Sequence, residues 1–197
     1  MIDTKSSPIP DVPMAMLTSL PLSRRHWVEI ARNASWHATR MNLNTFERHG
    51  VFKDQSTTDQ ISNRLRNPTL VAKAKAFPYQ LMVAFTNATT VPPAIRDALQ
   101  DAMELATQNV PSIPGKVWVL PDVSGSMQSP VTGHRKGSTT KVRCIDVAAL
   151  VAASLVRKNP GAGVIPFSDD VINVTLNSRD SVMTNAEKLA RLPSGGT

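Results

Sequence analysis

The sequence predicts a two-part chain: a stack of short helices over residues 1–112, then a partial α/β, Rossmann-like segment over residues 113–197. Three observations predict it. Up to residue 112 the apolar residues recur at helical spacing in runs cut by proline, with no strand-like alternation longer than a few residues. From Lys116 a compact apolar run rich in Val and Trp leads into the turn Asp122-Val123-Ser124-Gly125-Ser126. Further on, the chain returns to strand-like and helix-like stretches in alternation, the order of a parallel sheet.

The helices follow in order. Ser23 is placed to cap a helix running to about Asn33, with Trp27, Ile30 and Ala31 as its apolar stripe. A second is predicted from about Trp36 to Arg48. A third opens at Thr58 or Asp59 and ends near Asn67, before Pro68. Thr69 to Phe77 forms a fourth and Tyr79 to Asn87 a fifth. After Pro92 and Pro93 comes the clearest, with Ile95, Ala98, Leu99, Ala102, Met103 and Ala106 on one face of a helix reaching about Gln108. Each is too short and one-sided to stand alone, which predicts helical hairpins stacked as in a solenoid, although no internal sequence period marks the repeat.

In the second part, Val117, Trp118, Val119 and Leu120 read as a strand buried on both faces, and ligands bind such sheets at the loops beyond the strand carboxyl ends. The turn that follows carries a carboxylate and two hydroxyls at alternate positions, Asp122, Ser124 and Ser126, with Gly125 supplying backbone freedom between the serines. Hard oxygen donors suit a divalent cation, Mg²⁺ or Mn²⁺, that retains waters and accepts an acidic group from a partner. The alternative is that Asp122 caps the turn and no metal binds. About three strands and two or three helices are expected after Lys116, fewer than a complete sheet of this type, so the chain is expected to be a fragment that is poorly stable alone.

Composition points to a soluble protein of a reducing, cytoplasmic compartment. No run of about 18 apolar residues exists, so no membrane association is expected. The start, Met1 to Pro13, is polar and proline-rich rather than a signal peptide. The single cysteine, Cys144, falls in a predicted helix as a small core residue. The net charge is +7, and between Arg24 and Lys75 ten Lys or Arg face four acids. Arginine dominates that stretch, and its planar fork binds phosphate bidentately and stacks on bases. Arg24, Arg25, Arg32, Arg40, Arg64, Arg66, Lys73 and Lys75 are the candidate RNA contacts, against the alternative of a solvated surface that keeps the protein soluble.

Enzyme patterns fit poorly, and no catalytic residue is assigned. Neither Ser124 nor Ser126 has the flanking glycines of a hydrolase elbow, Gly133 to Ser138 lacks the P-loop spacing, and the four histidines lack zinc-ligand spacing with Cys144. The polar segment Ser129 to Val142 lies beside the metal turn, where it could close over the site, touch phosphate, or be simply a flexible loop.

The D-x-S-G-S turn after a strand resembles the metal-ion-dependent adhesion site of von Willebrand factor A domains. Gly163 to Asp169 resembles that fold's next core strand and its exit, and Gly195-Gly196-Thr197 the loop whose threonine adds a ligand, which implies a role for Thr197. Together with Met41-Asn42-Leu43-Asn44-Thr45-Phe46, Ile61 to Pro68 and Ala76 to Leu81, this order of motifs resembles the TROVE family, the Ro ribonucleoproteins, over roughly Val12 to Thr197. The resemblance implies the C-terminal part of a HEAT-like helical-repeat ring joined to the first half of a von Willebrand factor A domain. It also implies binding of small structured, Y-like RNAs and of misfolded non-coding RNAs in RNA quality control. A protein-interaction module, whose metal captures an acidic partner, is the alternative.

Overall fold

A computed structural model of the chain describes residues 14–17, 20–133 and 141–196. Its helical part comprises α1 (Met14–Leu17), α2 (Arg24–Asn33), α3 (Trp36–Met41), α4 (Leu43–Arg48), α5 (Gln55–Leu65), α6 (Pro68–Ala74), α7 (Pro78–Asn87) and α8 (Pro93–Ala106). Short 3₁₀ turns occupy Val51–Lys53 and Thr107–Asn109. The α/β part comprises β1 (Trp118–Val119), α9 (Cys144–Lys158), β2 (Gly163–Val164) and α10 (Val182–Ala190), with a 3₁₀ turn at Gly125–Gln128.

Local chemistry sets most helix limits, and in three places it corrects the sequence reading. The helix expected over 36–48 is broken at Asn42, whose side-chain Nδ2 donates to Ala38 O at 2.8 Å and so takes the carbonyl that its own N–H would use. Helix α5 opens at Gln55 rather than at Thr58 or Asp59, because Asp54 is the cap and accepts from Thr57 N at 3.2 Å. Helix α6 stops at Ala74 rather than Phe77, since Lys75 adopts a left-handed conformation with φ 48°. It starts one residue before the expected Thr69, because Asn67 accepts from Leu70 N at 3.0 Å as the cap and Pro68 sits at the first helical position. In α8, Ile95, Ala98, Leu99, Ala102, Met103 and Ala106 are all buried.

Ten residues of helix leave four carbonyls unsatisfied at the C-terminus, and the shorter helices here leave most of theirs. Arginines supply the missing donors. Arg64, on α5, donates to Ala31 O at 2.7 Å, to Arg32 O and to Thr39 Oγ1 at 3.0 Å, closing the end of α2. Arg96 donates to Ala88 O at 2.7 Å and Phe85 O at 3.2 Å, with its guanidinium 4.1 Å over the Phe85 ring. Arg24 donates to Gly50 O at 2.8 Å, and Arg40, only 9% exposed, to Gln80 O at 3.0 Å. Burial pushes the Arg64 and Arg40 guanidinium pKa values down, for Arg40 against a smaller opposing effect of Tyr79.

β1 and β2 pair in parallel, Trp118 opposite Gly163 and Val119 opposite Val164, with α9 as the crossover. The Trp118 ring lies where a Cβ at residue 163 would stand, so this placement of the ring needs Gly163. Burial on both faces is not what the structure shows. Val117 is buried, but Trp118 is 52% and Leu120 58% exposed, because α9 packs on β2 from one side and the face bearing these two side chains stays open. A third strand was expected too. Val171 bridges to Phe167, yet residues 172–176, which alternate between half-buried and exposed, form no ladder with β2 and are not a strand.

One apolar core runs through both parts. Trp27, Phe46, Ile61, Leu65, Leu81 and Leu99 of the helical part are continuous with Leu150 and Ala153 of α9 and Leu189 of α10. A polar tie accompanies it: Glu104 on α8 accepts from Val182 N at 2.6 Å, at the start of α10, and pairs with Arg157 on α9 at 3.3 Å. Arg157 also donates to Ser178 O at 3.0 Å.

Two stability predictions follow from these ties. Glu104→Ala should cost about 1.5–3 kcal/mol, the usual range for a hydrogen bond to a charged group. Glu104→Gln, which keeps an acceptor for Val182 N, should cost less, and equal losses in urea unfolding would show that the α10 contact contributes nothing. Arg64→Ala should lower stability by about 2 kcal/mol through the stranded carbonyls of α2. Arg64→Lys should not restore it, since an ammonium cannot reach several acceptors in the plane of a fork.

Candidate metal turn and basic surface

Three loops converge at the carboxyl ends of the two strands. Backbone hydrogen bonds fix the first: Val123 N donates to Phe167 O at 2.8 Å and Phe167 N to Pro121 O at 3.1 Å, so Asp122 bridges directly to the end of the second strand. Gly125 N donates to Gly195 O at 3.0 Å and brings the third loop in. The Asp169 carboxylate and the Ser168 hydroxyl fill the space that a Cβ at residue 195 would take, so only glycine allows this approach.

Within the turn, Ser124 N donates to Asp122 Oδ1 at 2.8 Å. The hydroxyls of Ser124, fully buried, and Ser126, exposed, lie 3.0 Å apart. The Ser124 amide, then its hydroxyl, hold the Asp122 carboxyl below the usual aspartate range, against a smaller effect of burial. Asp169 is held down likewise, first by the Ser168 hydroxyl (2.7 Å), then by the backbone amides of Asp169 and Asp170. The arrangement therefore offers a carboxylate whose ionised form is favoured and two adjacent hydroxyls, with a second carboxylate on the neighbouring loop.

Asp122, Ser124 and Ser126 thus come together as their spacing suggests, and Asp122 also makes the turn-capping contact that was its alternative role. Thr197 and residues 134–140 of the Ser129 to Val142 loop lie outside the described residues. Asp169 was not singled out from the sequence as a site residue; the signal was a second carboxylate directly after a strand that pairs with the first. Among the described residues no group of three His, Cys, Asp or Glu is placed to hold a metal, so any ion here would depend on hydroxyl oxygens.

The eight candidate RNA contacts divide sharply. Arg40 and Arg64 are turned inward onto backbone carbonyls. Arg32 pairs with Asp54 at 2.9 Å and Arg66 with Asp101 at 3.4 Å, while Arg24 holds Gly50 O through Nε. Arg25, Lys73 and Lys75 are exposed and make no ion pair with another described residue. Among the described residues no helix is long and apolar enough to cross a membrane.

Comparison with known proteins agrees with this architecture. Residues 116–197 match the family model of the Ro60 vWA domain. A curated relative, the RNA-binding protein RO60 of Deinococcus radiodurans, is 25% identical, the match covering 79% of this chain and 31% of that protein. The crystal structure of the Deinococcus radiodurans RO (RSR) protein superposes with a TM-score of 0.67 at 21% identity, over 93% of this chain and 41% of that one. The chain spans about a third of the curated relative's length. Its residues 116–197 are similar to the Ro60 vWA domain, and the fold of the whole described chain is similar to that of the Deinococcus protein.

Proposed function

We propose that this chain is part of an RNA-binding protein of the Ro ribonucleoprotein type, which takes structured or misfolded non-coding RNA and binds without catalysis. The observation that carries the reading is that several cations of the helical part stay exposed and make no ion pair with another described residue. Arg25, Lys73 and Lys75 remain exposed after the interior arginines have been used, and they lie on the part whose curated relative bears the name RNA-binding protein. Exposed, unpaired cations release counterions on meeting phosphate, which gives affinity a steep dependence on salt.

The test is equilibrium binding to an RNA helix with a single-stranded 3′ tail, to the same helix blunt, and to a matched duplex DNA, at several salt concentrations. The tailed RNA should be preferred. Lys73→Ala and Lys75→Ala should each reduce the log-log salt slope by about one. Equal, weak and salt-erased binding to all three would reduce the charge to a generic surface property.

The metal turn supports a second, separable activity. Asp122, Ser124 and Ser126 fit a hard divalent cation, Mg²⁺ or Mn²⁺, because the carboxylate is held ionised and the two hydroxyls lie side by side. Such an ion, when bound, would accept an acidic side chain from a protein partner. Mg²⁺ should then raise the melting temperature, by the equivalent of about 2.7 kcal/mol at a hundredfold excess over Kd. Asp122→Ala should abolish that shift and leave RNA affinity unchanged; a shift that survives the substitution would remove the ion from this turn.

A further inference from the structure

A cleft of about 150 Å³ opens where the helical part meets the α/β part, lined by Phe77 and Tyr79 at the start of α7, Val110 and Pro111 after α8, and Val151 and Leu155 of α9. Phe77 is 45% and Tyr79 39% exposed. Their ring centroids lie 6.5 Å apart with an interplanar angle of 21°. Two aromatic side chains left partly in water at neighbouring positions are a cost to folding.

The charge around the cleft selects its occupant. From Gln60 to Arg96 the sequence holds no acidic residue and five cations, Arg64, Arg66, Lys73, Lys75 and Arg96. Three of these are tied to protein groups, which leaves Lys73 and Lys75. Lys73, Lys75, Phe77 and Tyr79 are all exposed, at every second position through the corner between α6 and α7. The left-handed Lys75 forms that corner. Arg40, donating to Gln80 O at 3.0 Å, pins the first turn of α7 from below, so the rings are presented by a fixed backbone. An apolar cleft with aromatic faces, beside a chain corner that carries two exposed lysines, matches a ligand with π faces on a polyanionic backbone. A second copy of a chain carrying +7 is repelled, and an apolar peptide has no use for the cations.

We propose that Phe77 and Tyr79 form a base-stacking platform for single-stranded nucleic acid, with Lys73 and Lys75 holding the phosphates on either side of the stacked bases. The inference rests on the RNA-binding reading above and assigns its single-strand contact to the junction of the two parts. Stacking on an aromatic ring tolerates any base, so the platform reads strandedness rather than sequence.

The experiment titrates the whole chain into a short oligoadenylate carrying 2-aminopurine, as RNA and as DNA, and follows both affinity and the fluorescence quenching that stacking produces. Phe77→Ala and Tyr79→Ala should each weaken binding by about fivefold or more, with quenching lost and the salt slope unchanged. Lys73→Ala and Lys75→Ala should do the reverse, lowering the slope and keeping the quench. Tyr79→Phe and Phe77→Tyr, which keep the rings, should bind normally and guard against a folding defect. Comparable affinity for both oligonucleotides supports a platform indifferent to the sugar, and tighter RNA binding supports one that also reads the 2′-hydroxyl. If the alanine variants bind RNA as the parent does while the lysine variants lose affinity, the platform is overturned and RNA binding stands. If these variants instead dissociate a dimer in sedimentation with RNA affinity intact, the cleft is a contact between copies and the proposal fails. Absence of any RNA binding by the parent chain overturns both.

Discussion

Short helices are mostly ends, and the fold depends on how those ends are satisfied. A helix of six residues, such as α3 or α4, has more orphan carbonyls than internal hydrogen bonds to offer. Donors must reach them from neighbouring elements, and here they are long planar side chains. Arg64 serves the end of α2, Arg96 the end of α7, Trp36 Nε1 reaches Leu65 O at 3.0 Å, and Asn44 reaches Asn87 O at 3.0 Å. Each of these bonds joins separate helices, so the same interaction that caps an end also fixes the stacking. The core can then be built from small pieces, since no helix needs to be stable before its neighbour arrives.

That constraint explains which parts of the molecule the sequence discloses. Helix α8 is legible because proline at its start and six apolar residues at helical spacing are local facts. The start of α5 is less so. Asp54, Thr58 and Asp59 are all acceptable caps, and what favours Asp54 is its pairing with Arg32 and its contact with the Thr57 hydroxyl, the first of which is a tertiary fact. The break at Asn42 follows from a side chain that can continue or interrupt a helix with equal local sense. A Val-Trp-Val-Leu run states that a strand wants burial without stating whether a second layer covers it, and the open face at Trp118 and Leu120 lies beyond any pattern.

Charge is the clearest case of information that composition does not hold. A guanidinium binds a backbone carbonyl and a phosphate by the same hydrogen bonds, so an arginine-rich helical segment reads identically whether it recognises RNA or ties helices together. In this fold most of the arginines in the stretch act internally and the exposed lysines are left over. The Asp122–Ser126 turn behaves differently. Asp122, Ser124 and Ser126 are within five residues, and spacing alone brings their oxygens near one another. What spacing does not show is Asp169, brought in by the parallel pairing of the strands, and the demand for glycine at 195 that its carboxylate imposes.

The two halves meet through more than a shared core, because α10 links the helical part to the loop that closes on the Asp122–Ser126 turn. Its first residue, Val182, is held by Glu104 of the helical part. Past its last turn the chain reaches Gly195, whose carbonyl accepts from Gly125 in the Asp122–Ser126 turn. A nine-residue helix is stiff over that length, so the Glu104 contact sets where the helix starts and thereby the position from which the 195 loop must close on the turn. Contiguity of this kind is not by itself coupling, which requires two arrangements that both sites bias. It does impose a geometric condition. The oxygens at Asp122, Ser124 and Ser126 have their backbone frame completed by the 195 loop, and that loop is anchored through α10 to the helical part. The Asp122–Ser126 turn therefore owes part of its shape to residues outside the α/β segment.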